Sequence, residues 1–241
     1  MVRTSGRTGA AAAVALLATL IGCADASAPQ SAARYPIASA PTTPAAKQQL
    51  SASAHQREAA PAAARHRGAP SRSARALLSI PGIGLDRLRV VPYRGTADDR
   101  PGTRIQDRGV AATPHGPRGG VGPGEVGNMV ITAHRTTAGR PFGRLPSLRV
   151  GEHVLVESGG LVYDYRITHT MTISFKSKRD RARQSAPVPG RLGVAATQPM
   201  ITLSTCATPE DHAAGNYWSD ALGNPEHRID KVGVLVDVRP S

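Results

Sequence analysis

Aromatic residues are scarce in this chain: two Phe, one Trp and five Tyr among 241 residues. Such side chains ordinarily supply a large share of core burial, so a packed interior here must come from Val, Ile, Leu and Ala. Hydrophobic residues total 40%, enough to exclude disorder throughout the chain. Cysteine is scarcer still. Cys23 and Cys206 alone exclude a disulfide-dense scaffold and a four-cysteine zinc site, while leaving one possible bridge. Lysine is nearly missing, with only Lys47, Lys176, Lys178 and Lys231, so arginine supplies almost all the positive charge behind the net +13. No apolar run reaches the roughly 18 to 20 residues that a bilayer-spanning helix requires. The length fits one or two domains with one sizeable core.

Composition divides the chain in three. Residues 1–23 carry two arginines, an apolar run from Ala10 to Ile21 and then Gly22-Cys23, which reads as an export signal. The ending Leu20-Ile21-Gly22-Cys23 resembles the lipobox of bacterial lipoproteins, which implies lipidation of Cys23; cleavage near Ala24-Asp25-Ala26 to give a free secreted protein is the alternative. Residues 24–75 hold 31 Ala, Ser or Pro in 52 positions and no apolar periodicity, a composition that cannot bury enough surface to fold. This basic segment reads as a disordered tether whose charges are simply solvated; a partner-binding arm is the sharper alternative, and behind an export signal anionic lipid or wall polymer suits it better than nucleic acid.

Residues 76–241 form the folded part. Their apolar runs are short and rich in β-branched residues: LRVVP from 88, NMVITAH from 128, HVLVES from 153, LVYDYRIT from 161, MITLSTC from 200 and VGVLVDV from 232. These predict strands. No ten-residue amphipathic pattern recurs between them, which favours a mostly antiparallel barrel or sandwich over a βαβ parallel sheet. One short helix is predicted after Cys206, with Thr208 as N-cap, Pro209 first, Glu210 and Asp211 in the first turn, and an end before Gly223.

Cys206 closes a strand and opens a turn toward that helix, a rim position suited to a nucleophile. A bridge to Cys23 and an inert buried thiol are the competing readings, since reactivity depends on pKa and exposure. A cysteine nucleophile needs a group to take its proton and a donor for the oxyanion. His55 and His66 lie in the tether. His134 stands at a strand end, His153 and His169 lie within strands, and His212 and His227 flank the predicted helix; spacing alone excludes none of the last three as partner.

TLSTC at 202–206, downstream of GNMVITAHR at 127–135, resembles the TLxTC and histidine motifs of sortases. ITAHRTTAGRPFGRLPSLRVGEHVLV is similar to the segment around the sortase histidine, and His227-Arg228, opening HRIDKVGVLVDV, matches the family's arginine at the start of the strand after the cysteine. SIPGIGLDRLRVV resembles the family's first strands, so the likeness spans residues 77–238, and HRTTAGRPF points to the class E sortases of actinobacteria. The chain departs from the pattern in Ala133 where glycine commonly precedes the histidine, in the 21 residues between Cys206 and Arg228, and in a lipobox in place of a transmembrane anchor.

The resemblance implies a closed β-barrel of about eight strands with short helices, and a cysteine transpeptidase cutting a C-terminal LPxTG or LAxTG sorting signal after Thr. Cys206 would be the nucleophile, His134 the general acid and base, and Arg228 the oxyanion or substrate-backbone donor. Partners would be secreted proteins bearing the signal and a peptidoglycan precursor or other amine acceptor, with the membrane engaged through lipid on Cys23 at the outer face of the cell membrane. No cofactor and no metal ion is implied.

Thr205 is a candidate substrate contact, with β propensity as its plainer explanation. An ion pair with Glu226 or Asp230 would account for Arg228 without catalysis. Asn128 suits a turn, and Tyr217 and Trp218 suit core packing or a groove wall. Glu210 or Asp211 beside His212 suggests a metal pair only weakly, since helix N-terminal carboxylates need no metal. Two other classes stand beside the transpeptidase: a different cysteine enzyme, such as a hydrolase or an L,D-transpeptidase, and a non-catalytic surface lipoprotein on a sortase-like barrel. Ser204-Thr205 occupies the place where the L,D-transpeptidase histidine typically sits.

Overall fold

The structure is a computed structural model that describes residues 75–241. The export signal, Cys23 and all but the last tether residue lie outside the described residues. Eight strands, β1 (Ala76–Ile80), β2 (Leu85–Arg94), β3 (Ala111–His115), β4 (Gly127–Thr132), β5 (His153–Ser158), β6 (Leu161–Ser174), β7 (Pro199–Cys206) and β8 (His227–Pro240), close into a barrel in the order β1-β2-β3-β4-β7-β8-β6-β5. Three short helices lie between strands: α1 (Arg100–Gln106), α2 (Lys178–Ser185) and α3 (Thr208–Ala213). The fold is therefore the mostly-β closed barrel expected. Among the described residues no helix is long and apolar enough to cross a membrane.

Six neighbouring strand pairs run antiparallel, and two, β2–β3 and β4–β7, run parallel. The first parallel pair is joined through α1, a seven-residue helix too short to show an amphipathic period in sequence. β3 escapes a sequence reading as well, because AATPH offers two alanines and a proline, all poor strand formers.

Alternation in β1 and β5 buries Leu78, Ile80, Val154 and Val156, and β6 adds Tyr163, Tyr165 and Ile167 to the same core. The β4–β5 connection adds to the same core: Phe142, Leu145 and Leu148 of the GRPFGRLPSL stretch are each buried to within 1%.

β4 and β7 differ from the other strands. All six residues of β4 and the middle six of β7 are buried, as expected of a parallel pair covered on both faces. Met129, Ile131, Ile201 and Leu203 face the interior. The intervening residues face outward, and register aligns Thr132, Ser204 and Asp230 in one row. α2 and the residue after it cover this polar layer. Asn128 Nδ2 donates to the carbonyls of Gln184 and Ala186, Thr202 Oγ1 donates to Asn128 Oδ1, and Gln184 Nε2 donates to Ser204 and Asp230. Asn128 thus serves neither a turn nor a site; it ties the end of α2 to the sheet. KRDRARQS carries no hydrophobic period, which hides α2 from a sequence reading, and Gln184 is the side chain of this helix that bonds Ser204 and Asp230.

Asp230 is fully buried, and burial raises its carboxyl to about 6 from the ordinary 3.8, against the opposing hydrogen bonds of Ser204 and Gln184 and the charge of Arg228. A carboxyl raised in the fold contributes its stability fully below the unfolded value and loses it as pH climbs through about 6. Asp230→Asn should remove that dependence. Urea melts should find the variant gaining on the parent by on the order of 2 kcal/mol between pH 4 and pH 7.5; parallel stability curves would refute it.

Candidate active site

The outward face of β7 and β8 carries the chemistry at one end. Thr202, Ser204 and Cys206 share that face, and register pairs Cys206 directly with Arg228 on β8. Across the parallel pair, Val130 matches Thr202 and Thr132 matches Ser204. The parallel pairing ends at Thr132–Ser204, a pair that includes the Ala133 N–H to Ser204 O bond at 3.3 Å, and His134 follows two residues after β4. Cys206 and Arg228 thus end one row across β7 and β8, with His134 just past the neighbouring end of β4.

Local chemistry holds this row in place. Thr205, 2% exposed, donates its hydroxyl to Ala133 O at 2.9 Å, fastening β7 to the residue before His134. That contact gives Thr205 a structural partner instead of the substrate contact expected, and it does not line the cleft described below. Ala133 directs its methyl into the core, at 2% exposure, so the position tolerates a side chain where glycine is common. After His134 the chain turns back through Ala138, Gly139 and Arg140, all at positive φ, until Phe142 N–H reaches His134 O at 3.0 Å. Buried Phe142 thereby anchors the histidine backbone.

His134 and Cys206 line one cleft of about 310 Å³, with Thr137, His212, Tyr217 and Trp218 among its walls. Tyr217 is 72% exposed and packs its ring 4.7 Å from that of His212. Tyr217 and Trp218 are thus wall residues, not core. Cys206 is a free thiol among the described residues. Burial pushes the thiol up to about 11; Arg228 and Arg135 pull it down, while Asp98 and Asp220 raise it further.

Arg228 is wholly buried and does not itself line that cleft. Its Nε donates to Asp98 Oδ2 at 2.9 Å, and its Nη1 donates to Pro225 O at 2.9 Å and to His227 O at 3.3 Å. The Phe175 ring lies 3.9 Å from the guanidinium carbon, a cation–π contact. Nη2 alone has no partner. An unsatisfied buried donor costs on the order of 1–3 kcal/mol. A second cavity of about 550 Å³ includes Asp98 and Phe175, which enclose the arginine, and shares Trp218 with the first.

Neither carboxylate expected to neutralise Arg228 does so. Glu226 is engaged by Lys176, Asn216 and Ser174, which together hold it well below the usual range, and Asp230 bonds Gln184. The partner is Asp98, which sits at φ 55 just ahead of the Asp99 N-cap of α1. A lone aspartate in a polar loop carries no sequence signal for this role.

His134 Nε2 lies 2.9 Å from Asp107 Oδ1 at the other end of α1. Arg135 forms a two-pronged pair with Glu210 at 2.6 and 2.8 Å and also donates to Cys206 O at 3.3 Å. Asp211 turns to His227, with its Oδ1 2.6 Å from Nδ1. These pairings separate Glu210 and Asp211 from His212 and dissolve the suggested metal pair. α3 begins at Thr208 with Ala207 in the N-cap position and no side-chain cap, one residue earlier than expected. Asp211 N–H instead bonds Ala207 O. His153 and His169 lie on β5 and β6, facing Asp164 and Thr168.

A sortase-domain family model matches residues 78–221, taking in His134 and Cys206 and stopping short of Arg228. Sortase SrtE1 of Streptomyces coelicolor is 28% identical over 137 residues, 56% of this chain and 36% of that protein. The matched region thus spans about a third of that relative's length. Among solved structures, the barrel resembles the SrtA sortase of Actinomyces oris (TM-score 0.53, 20% identity, 69% of this chain and 82% of the other). It also resembles sortase E1 of Streptomyces coelicolor, solved with a tripeptide in its active site (TM-score 0.52, 20% identity, 72% and 94%). At these identities the likeness concerns the fold.

Proposed function

The chain belongs to the sortase family, and from that premise we propose that it is a cysteine transpeptidase of secreted proteins, nearest to the class E sortases. The observation that carries this reading is that His134 and Cys206 line one cleft while Cys206 pairs in register with Arg228 on the next strand.

Cys206 passes its thiol proton to His134 as Sγ attacks the threonine carbonyl of an LPxTG- or LAxTG-type signal. The Thr–Gly C–N bond breaks, a thioester forms, and the glycine-bearing remainder leaves as an amine that takes its proton from His134. An incoming amine, from a peptidoglycan precursor or a similar acceptor, gives a proton to His134, attacks the thioester and restores the thiol. In each tetrahedral intermediate the oxygen carries negative charge; Arg228, the register partner of Cys206, has Nη2 unbonded and supplies a donor once bound substrate opens the arginine's enclosure.

Incubation of the chain with an LAxTG peptide and a glycine amine should yield the amine-exchanged product. Hydrolysis alone would replace the transpeptidase reading with a hydrolase, and absence of both thioester and product would leave a binding protein on a sortase barrel.

The enzyme is exported and held at the outer face of the membrane by lipid on Cys23. More than one acyl chain makes such anchoring stable. Mass spectrometry of the mature N-terminus should find a diacylglyceryl-modified Cys23; an unmodified terminus at residues 24–28 would refute lipidation.

A further inference from the structure

We propose that α1 is a two-ended positioning strut, whose flanking carboxylates Asp98 and Asp107 fix the spacing and orientation of Arg228 and His134. The inference rests on the transpeptidase reading above for its consequence, but its geometry stands separately.

The connections are continuous. Asp98 offers one oxygen to each of two buried donors: Oδ2 to Arg228 Nε at 2.9 Å and Oδ1 to Gln106 Nε2 at 2.8 Å. Gln106, the last residue of α1 and 4% exposed, also donates to Thr132 Oγ1 at 3.0 Å. Thr132 ends β4 two residues before His134. Asp107, the C-cap of α1, meets His134 Nε2 at 2.9 Å. Asp99 fixes the start of the helix by accepting from Gly102 N at 3.0 Å and Thr96 N at 2.9 Å.

Each carboxylate sets which atoms remain free. With Nε held by Asp98 and Nη1 by two carbonyls, Nη2 is the one guanidinium nitrogen left over. A carboxylate only accepts, so Nε2 of neutral His134 must carry the proton it gives Asp107, leaving Nδ1 as the basic nitrogen. The positive φ of Asp98 is uncommon outside glycine, and it is tolerated where an aspartate on a tight turn meets two buried donors.

Asp98 does not serve by activating the thiol. Among the charges acting on Cys206, Arg228 and Arg135 favour the thiolate, while Asp98 and Asp220 oppose it. A positioning role and a charge-tuning role therefore predict opposite outcomes for Asp98→Asn. The amide can accept from only one of the two donors the carboxylate holds, and it removes the charge. With the peptide and amine, kcat/KM should fall by about a hundredfold, the scale of a small misplacement in a catalytic site. Alkylation of Cys206 by iodoacetamide, a small neutral reagent that needs no arginine, should speed up in the same samples, with circular dichroism verifying that they are folded.

NMR supplies readouts independent of activity. In the unsubstituted chain the Arg228 Nε–H should be strongly protected from exchange, and neutral His134 should show the Nε2–H tautomer. Asp107→Ala, at an exposed site, should mix the His134 tautomers and lower kcat/KM at least tenfold. An unprotected Nε–H, an unchanged tautomer, or turnover within twofold of the parent in both variants would overturn the strut. If the parent makes no product, the transpeptidase reading fails while the two NMR readouts still decide the placement.

Discussion

Replacement of Cys206 or His134 by alanine should eliminate thioester formation with a sorting peptide while leaving the barrel folded. Cys206→Ala removes the nucleophile, so no acyl-enzyme should be detectable by intact mass. His134→Ala should lower acylation by about 10²- to 10⁴-fold, the ordinary contribution of a general acid–base group. Both residues lie at strand ends, partly exposed, while the core contacts of β4 and β7 belong to Met129, Ile131, Ile201 and Leu203.

The environment of Cys206 makes the histidine indispensable. With the thiol pushed up to about 11, about one molecule in several thousand carries a thiolate at pH 7.5. Attack at neutral pH then depends on a neighbour that takes the proton as the sulfur reacts. Alkylation of Cys206 should accordingly rise with pH up to about 11; a rate already at its plateau at neutral pH would refute a thiol held up by burial.

The sequence reveals the two strand-end reactive groups because each follows a β-branched run that stops at a polar turn, and because TLSTC and ITAHR have counterparts in a known family. It also contains, unrecognised, the parity that leads to them: positions 130 and 132, 202, 204 and 206, and 232, 230 and 228 fall on one face once register is known, with His134 two residues past the end of β4. Register across a parallel pair joined by a connection of 66 residues (133–198) cannot be read from periodicity, which fixes faces within a strand but not partners between strands. The supporting carboxylates are less legible. Asp98 and Asp107 resemble ordinary loop aspartates, and only the fold brings them to Arg228 and His134.

Arg228→Ala should reduce turnover by about 10²- to 10³-fold, the typical loss on removing an oxyanion donor, and it should also destabilise the protein. Truncation leaves Asp98, 8% exposed, as a buried carboxylate without its cation, and breaking a buried pair from one side costs about 3–5 kcal/mol. Loss of activity alone therefore would not separate chemistry from structure. The double variant Asp98→Asn with Arg228→Ala, compared with Asp98→Asn alone, does: the neutral amide no longer demands a counter-charge, so thermal stability should return toward the parent while turnover stays well below that of the single Asp98→Asn variant. Arg228→Lys should rescue poorly, because one ammonium cannot bond Asp98 and two carbonyls and still present a free donor. Recovery of turnover together with stability in the double variant would make Arg228 a structural partner of Asp98 and move the oxyanion role to backbone N–H groups near Cys206.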